Sequence, residues 1–204
     1  MSITTVNGIA AALPSAESLV WLKNSMAGFG GKVTVSSWTA TGIPAAGVKQ
    51  GTLNGAIPTS ATVGAMPYVL PAAGKSAYIA AAAGMCNYGL KVTLGDRVWH
   101  NSELDMSSAG AQNITQPALT RHTSGVGLEL WLECHTAWGA TPQTATVSYT
   151  NQAGAAGKLA TLTTLASPVA SQVQRFKLQD GDTGIKSVQS FKLNASTGVA
   201  GNGG

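Results

Sequence analysis

From Lys32 onward, apolar and polar positions alternate in short runs separated by Gly, Pro, Asn and Asp. In "KVTVSSW" (Lys32–Trp38), Val33 and Val35 fall on one side, with Lys32, Thr34 and Ser36 on the other. "LKVTL" (Leu90–Leu94) repeats the pattern with Leu90, Val92 and Leu94. "GLELWLECH" (Gly127–His135) sets Leu128, Leu130, Leu132 and Cys134 against Glu129, Trp131, Glu133 and His135. "ATVSYT" places Ala145, Val147 and Tyr149 opposite Thr146, Ser148 and Thr150, and "RFKL" (Arg175–Leu178) and "KSVQSFKL" (Lys186–Leu193) complete the series. Such period-two runs between turn signals predict a mainly β chain, an antiparallel β-sandwich or jelly-roll-like domain.

One segment has a helical period. In "PSAESLVWLKNSMAGFGG" (Pro14–Gly31), Leu19, Leu22 and Met26 recur at helical spacing. Ser15 is placed as N-cap, Glu17 lies in the first turn, and the Gly28–Gly31 cluster terminates the run. The expected organisation is an N-terminal arm with one short helix over residues 1–31, a β domain over 32–195 and a flexible tail over 196–204. Residues 42–70 show little periodicity and predict a long ordered loop, or a surface lobe held by neighbours.

Composition narrows the function classes. Of 204 residues only 10% are Asp, Glu, Lys or Arg, against about 25% in ordinary soluble proteins. Thr, Ser, Asn and Gln must replace the missing charge on the surface, or partners must cover it. Low charge also weakens repulsion between copies. The formal net charge of +4 comes from scattered single lysines, without the dense clustering that phosphate binding needs, so no nucleic-acid partner is expected. No stretch approaches the length of a membrane span; "YIAAAAGM" (Tyr78–Met85) is too short. The N-terminus lacks the basic start of a secretory signal. Cys86 and Cys134 are far apart in sequence, which does not decide whether they meet. The alternation makes Cys134 a small buried hydrophobe, and free thiols made in a reducing compartment are the expectation.

Four stretches invite a chemical reading. "AAGKSA" (Ala72–Ala77) resembles the end of a phosphate-binding loop, but Val69 stands where the first Gly belongs and no βα unit surrounds it. "QDGDTG" (Gln179–Gly184) spaces Asp180 and Asp182 like part of a calcium loop without the remaining oxygen ligands; Asp/Gly turn chemistry explains it as well. Glu129, Glu133 and His135 share a strand face, with His100 and His122 elsewhere; the simpler reading is the polar outer face of a sheet. Cys134 and His135 are adjacent, so a strand points them to opposite faces. Neither Glu103 with Asp105 nor Asp180 with Asp182 is set apart as acid and base. No catalytic residue, metal or cofactor is expected, and the chain is not read as an enzyme.

Five tryptophans are large anchors in a chain poor in aromatics. Trp131 falls on the polar side of its strand, and Trp138 lies in "TAWGATP", at a turn. Aromatics so placed serve interfaces or sugar platforms, or are covered by a second layer of the fold. Leu19, Trp21, Leu22, Trp38, Trp131 and Trp138 are therefore the candidate interaction residues, while Gly154, Gly157, Gly181 and Gly184, together with Asn151, are candidate turn positions.

Three stretches, "LGDRVWHNSELD" (Leu94–Asp105), "QPALTRHTSGVGLELWLECHTAWGATPQTATVSYTNQAG" (Gln116–Gly154) and "LQDGDTGIKSVQSFKL" (Leu178–Leu193), resemble a family of uncharacterised virion structural proteins of tailed bacteriophages. The shared pattern runs in order over roughly the last two-thirds of the chain. It comprises Asp96-Arg97-Val98-Trp99, Gln116-Pro117 with Arg121, Trp131-Leu132-Glu133, Tyr149–Lys158 and Gly181–Val188. The resemblance implies a structural component of the virion, with no catalytic residues to carry over. Combined with low charge and the arm, it leads to the expectation of a capsid decoration (cement) protein on the capsid surface, made in the bacterial cytoplasm. The expected partners are the major capsid protein and further copies of this chain, as a homotrimer. The alternative is a neck, tail or fibre-base protein whose aromatics contact host sugars.

Overall fold

The computed structural model describes residues 5–12, 14, 16–24, 34–66, 68 and 93–204. Among the described residues, helix α1 (Val6–Ala12) precedes ten short strands: β1 (Leu22–Lys23), β2 (Gly42–Ile43), β3 (Leu104–Asp105), β4 (Gln112–Asn113), β5 (Trp131–Thr136), β6 (Thr144–Asn151), β7 (Lys158–Thr163), β8 (Val173–Arg175), β9 (Ile185–Leu193) and β10 (Asn202–Gly203). Strands β3–β10 form two four-stranded sheets, ordered β3-β10-β5-β8 and β4-β9-β6-β7, with every pairing antiparallel. Numbered within these eight, the orders are first-eighth-third-sixth and second-seventh-fourth-fifth. This is the double Greek-key arrangement of a jelly roll.

The alternation explains the layers. Ala145, Val147 and Tyr149 of β6 are buried while the residues between them are partly exposed. They meet Leu132 and Cys134 of β5, Leu104 and Met106 around β3, Phe176, and Ile185, Val188, Phe191 and Leu193 of β9 in one apolar core. The Asn151–Gly157 turn that joins β6 to β7 uses Gly154 and Gly157 at φ 87° and 73°. Asn151, expected at a positive φ, instead has its side-chain oxygen accept hydrogen bonds from the backbone N–H groups of Ala153 and Ala155, at 3.1 and 2.9 Å. Gly181 also has a positive φ, of 91°. Gly184 is required for another reason: an added Cβ would collide with the backbone oxygen of Gly125.

Several expectations need correcting. Among the described residues the helix is α1, seven residues capped by the Thr5 hydroxyl accepting from Gly8 N–H at 3.1 Å, and residues 16–24 of the expected helix are not helical. In that segment Ala16–Val20 is irregular and Leu22–Lys23 is a strand; Ser15, Met26 and Gly28–Gly31 lie outside the described residues. Leu19 and Leu22 remain 38% and 60% exposed, and a short helix without a well-packed face is marginal. The expected strand Leu90–Leu94 is irregular at Thr93 and Leu94, and its first three residues are not among those described. Lys32 and Val33 likewise lie outside, while Thr34–Ser36 runs beside Ser171–Val173 through a Val35–Gln172 bridge and two flanking backbone hydrogen bonds.

Residues 196–204, expected as a flexible tail, are instead built into the fold. Thr197 is fully buried, its hydroxyl donating to Met106 O at 2.9 Å. Strand β10 lies between β3 and β5, and Gly204 exchanges two backbone hydrogen bonds with Glu133, at 2.7 and 3.0 Å. Polar and glycine-rich, this stretch lacks the period-two signal, yet a narrow central slot suits a strand without bulky side chains.

Candidate functional site

The residues that carry the sequence motifs meet one another in space. Asp96, at an irregular stretch before β3, does not pair with its neighbour Arg97. Its two carboxylate oxygens accept from Nε and Nη2 of Arg121 at 2.8 and 2.9 Å, a bidentate pair, and His122 stands 3.3 Å away. Arg121 also donates to the backbone oxygens of Pro58 and Arg97, at 2.6 and 2.7 Å. One guanidinium thus ties the 58 loop, the 96–97 stretch and the 121 segment together. Hydrogen bonding to Arg121 is the main reason the Asp96 carboxyl is held below its ordinary pKa.

Arg97 turns the other way, toward β5. Its Nη2 donates to Glu133 Oε2 at 2.9 Å and to Ser36 Oγ at 3.0 Å, and its guanidinium lies 4.4 Å above the Trp38 ring. Trp38 Nε1 is 3.0 Å from both Glu133 oxygens. Glu133 is only 4% exposed, and His135 beside it is buried, its Nδ1 3.2 Å from Ser102 Oγ. Lys49 Nζ donates to the His135 backbone oxygen at 2.6 Å. The 133–135 half of the supposed outer face is therefore covered by the 36–50 loop; Glu129 and Trp131, nearer the strand start, stay exposed.

Burial sets the titration of this layer. Desolvation lowers the pKa of His100 and His135 to about 4, with the nearby positive charges of Arg97 and Lys49 acting in the same direction. His100 packs edge-on to Trp38, with ring centroids 5.2 Å apart. Cys134, on the opposite side of β5, is a free thiol facing the core, and burial pushes it up to about 12. It is not a nucleophile near neutral pH, and it points away from His135, as alternation requires. Cys86 lies outside the described residues.

A third cluster closes the β6–β7 hairpin onto the turn before β9. Asp182 accepts from Tyr149 Oη at 2.5 Å and from Asn151 Nδ2 at 2.7 Å, and these bonds hold its carboxyl below the usual range. Burial, and then the hydrogen bond to Asp182, raise the Tyr149 phenol to about 12. Asp180 faces Lys177 at the surface, so the two aspartates do not converge as calcium ligands. Among the described residues no group of three or more His, Cys, Asp or Glu side chains is placed to hold a metal ion. The phosphate-loop-like Ala72–Ala77 lies outside the described residues.

The six candidate interaction residues separate into two sets. Trp138 is 4% exposed, part of the core with Nε1 donating to Leu165 O at 2.9 Å, and Trp38 is engaged with Glu133; neither offers a free face. Leu19, Trp21, Leu22 and Trp131 are exposed. Trp131, 41% exposed, sits beside Glu129, which accepts from its Nε1 at 3.2 Å and pairs with Arg175 at 2.7 Å. Trp21, Leu22 and Ile43 lie on the small β1–β2 ribbon, with Leu22 directly opposite Ile43.

Sequence reasoning missed Lys23, Lys49 and the Arg97–Glu133 partnership. The available signal was scarcity: in a chain with few charges, a lysine inside the apolar run "LVWLKN" has a local task. The fold and its polar clamps define a jelly-roll domain whose motif residues bind the chain to itself. Comparison with protein-family models, curated proteins and solved structures finds no match in any of the three.

Proposed function

We propose that this chain is a structural component of a tailed-phage virion, a capsid decoration (cement) subunit that binds and stabilises the shell of the major capsid protein. The observation that carries the reading is the contrast between its interior and its arm. Asp96, Arg97, Arg121, Glu133, Tyr149 and Asp182 of the shared motifs are engaged in internal clamps, while Leu19, Val20, Trp21, Leu22 and Ile43 hold apolar surface out in water. Buried against a neighbour, such surface contributes about 25 cal/mol per Å², offset by the cost of ordering the arm. The motif resemblance supplies the virion. The jelly roll is compatible, being shared by viral capsid and lectin domains, though a fold by itself assigns no function.

Self-association as a homotrimer suits regular placement on a shell. The test is co-sedimentation of the purified chain with shells of the major capsid protein, using the full chain and one lacking residues 1–31. The full chain should pellet with shells and the truncated one should remain largely in the supernatant. Equal binding by both would remove the arm from the account, and binding by neither would remove the shell.

Exposed Trp131, flanked by Glu129 and Arg175, favours a second reading: a neck, tail or fibre-base protein that stacks a host sugar on the indole. Replacing Trp131 by Ala would then abolish sugar binding and leave assembly intact.

A further inference from the structure

We propose that the Trp21–Asn24 segment is exchanged between copies of this chain, strand β1 of one copy pairing with β2 of its neighbour. The proposal deepens the self-association part of the reading above.

The receptor for this segment is specific. Gly42 has φ 142°, and an added Cβ would run into the Leu22 backbone oxygen, so the receptor strand is shaped to admit a backbone at that place. Asn24 N–H donates to Thr41 O at 2.9 Å and Asn24 Nδ2 to Thr41 Oγ1 at 2.8 Å. Lys23 Nζ donates to the backbone oxygens of Ala40, Pro44 and Ala45 at 3.0, 2.7 and 3.2 Å, and lies 4.7 Å from the Trp21 ring centroid. Trp21 Nε1 donates to Ser37 Oγ at 3.2 Å.

Every one of these bonds is polar, and they leave part of the ribbon's apolar surface in water: Trp21 is 40% exposed. Leu22 is 60% exposed, its cross-strand partner Ile43 53%, and Val20 also faces water. A hydrogen bond contributes about 0.5–1.5 kcal/mol net, while ordering a residue costs about 1–2 kcal/mol. Docking within one copy is thus close to balanced. Between copies the same bonds form, and Trp21, Leu22 and Ile43 gain a second body to pack against. A second copy is the one partner certain to carry the matching Lys23 and Asn24, and exchange of an identical element is a low-cost route to oligomers. By chain length alone, the nine residues 25–33 can span at most about 30 Å.

Disulfide trapping tests this. Leu22→Cys and Ile43→Cys are made on separate chains of different tag size, both in a Cys86→Ser background; Cys134 is buried and stays. Directly opposed antiparallel positions suit a disulfide. After co-expression and oxidation, exchange yields a mixed-size dimer, linked through the two introduced thiols, as the main product on a non-reducing gel. Adding Gly42→Ala to the receptor chain should cut that product at least several-fold without moving the melting temperature of the sandwich. A mixed dimer that is absent, while one chain carrying both substitutions closes internally as a monomer, overturns the proposal. That result would leave shell binding in the co-sedimentation assay unaffected, so the two readings fail separately.

Discussion

The jelly roll of residues 104–204 and the covering segments of residues 16–66 are stabilised in different ways. In the first, side chains alternate, and Tyr149, Phe191, Leu193 and Met106 are sealed in a common core. In the second, the backbone is mostly irregular and is held point by point: Trp38 on Glu133, Lys49 on His135 O, Lys23 on three carbonyls. The difference teaches that a chain with only 10% charged residues uses several of them as pins. Apolar burial defines the sandwich, and single ionised groups attach what lies over it.

The sharpest way to break this contrast is to cut the core. Phe191→Ala should cost about 3–5 kcal/mol, seen as a large loss of melting temperature or outright misfolding. A change of under about 1 kcal/mol would mean that the core is not where the stability resides.

Acid should act next, through the covering layer. His100 and His135 are buried with pKa about 4, against about 6.5 in the unfolded chain. Between those values the unfolded state binds more protons, so stability is full above about pH 6.5 and falls as pH drops toward about 4. The loss amounts to up to about 3 kcal/mol per histidine. Urea melts across this range should show the slope, and His135→Asn should remove about half of it. A flat profile in the parent protein would show that the two rings titrate freely.

Glu133→Gln should then cost about 1–3 kcal/mol, because Arg97 loses its charged partner while the amide still fills the space. Hydrogen exchange should rise in residues 36–50 before it rises in β6 or β9; uniform loosening would contradict a separately pinned cover. The smallest global effect belongs to Lys23→Ala, within about 0.5 kcal/mol, with faster exchange confined to residues 40–45. A large drop in melting temperature would place the β1–β2 ribbon within the folding unit.

The same division decides what could be read from sequence. Ala145, Val147 and Tyr149 alternate with Thr and Ser because one face of β6 is buried and the other half-exposed, so that strand and its Gly154–Gly157 turn were visible. Strand β10 was not: "STGVAGNGG" has no apolar period, and its place in the sheet rests on fully shared backbone hydrogen bonds, which leave no pattern in side chains. The helical spacing of Leu19 and Leu22 misled because period reports which side would be buried, and these two side chains stay 38% and 60% exposed. Glu133 and His135 looked like an outer face since the covering residues come from nearly a hundred positions away. Asp96, Arg97, Arg121 and Glu133 were recognisable as important residues, but their pairings depend on which loops meet, and spacing along the chain cannot supply that.

Copy number in purified particles tests the central claim most directly. Quantitative mass spectrometry of this chain against the major capsid protein should find it in the hundreds per virion, in fixed ratio to the coat. Absence from the particle, or a complement of a dozen or fewer, would contradict a decoration role.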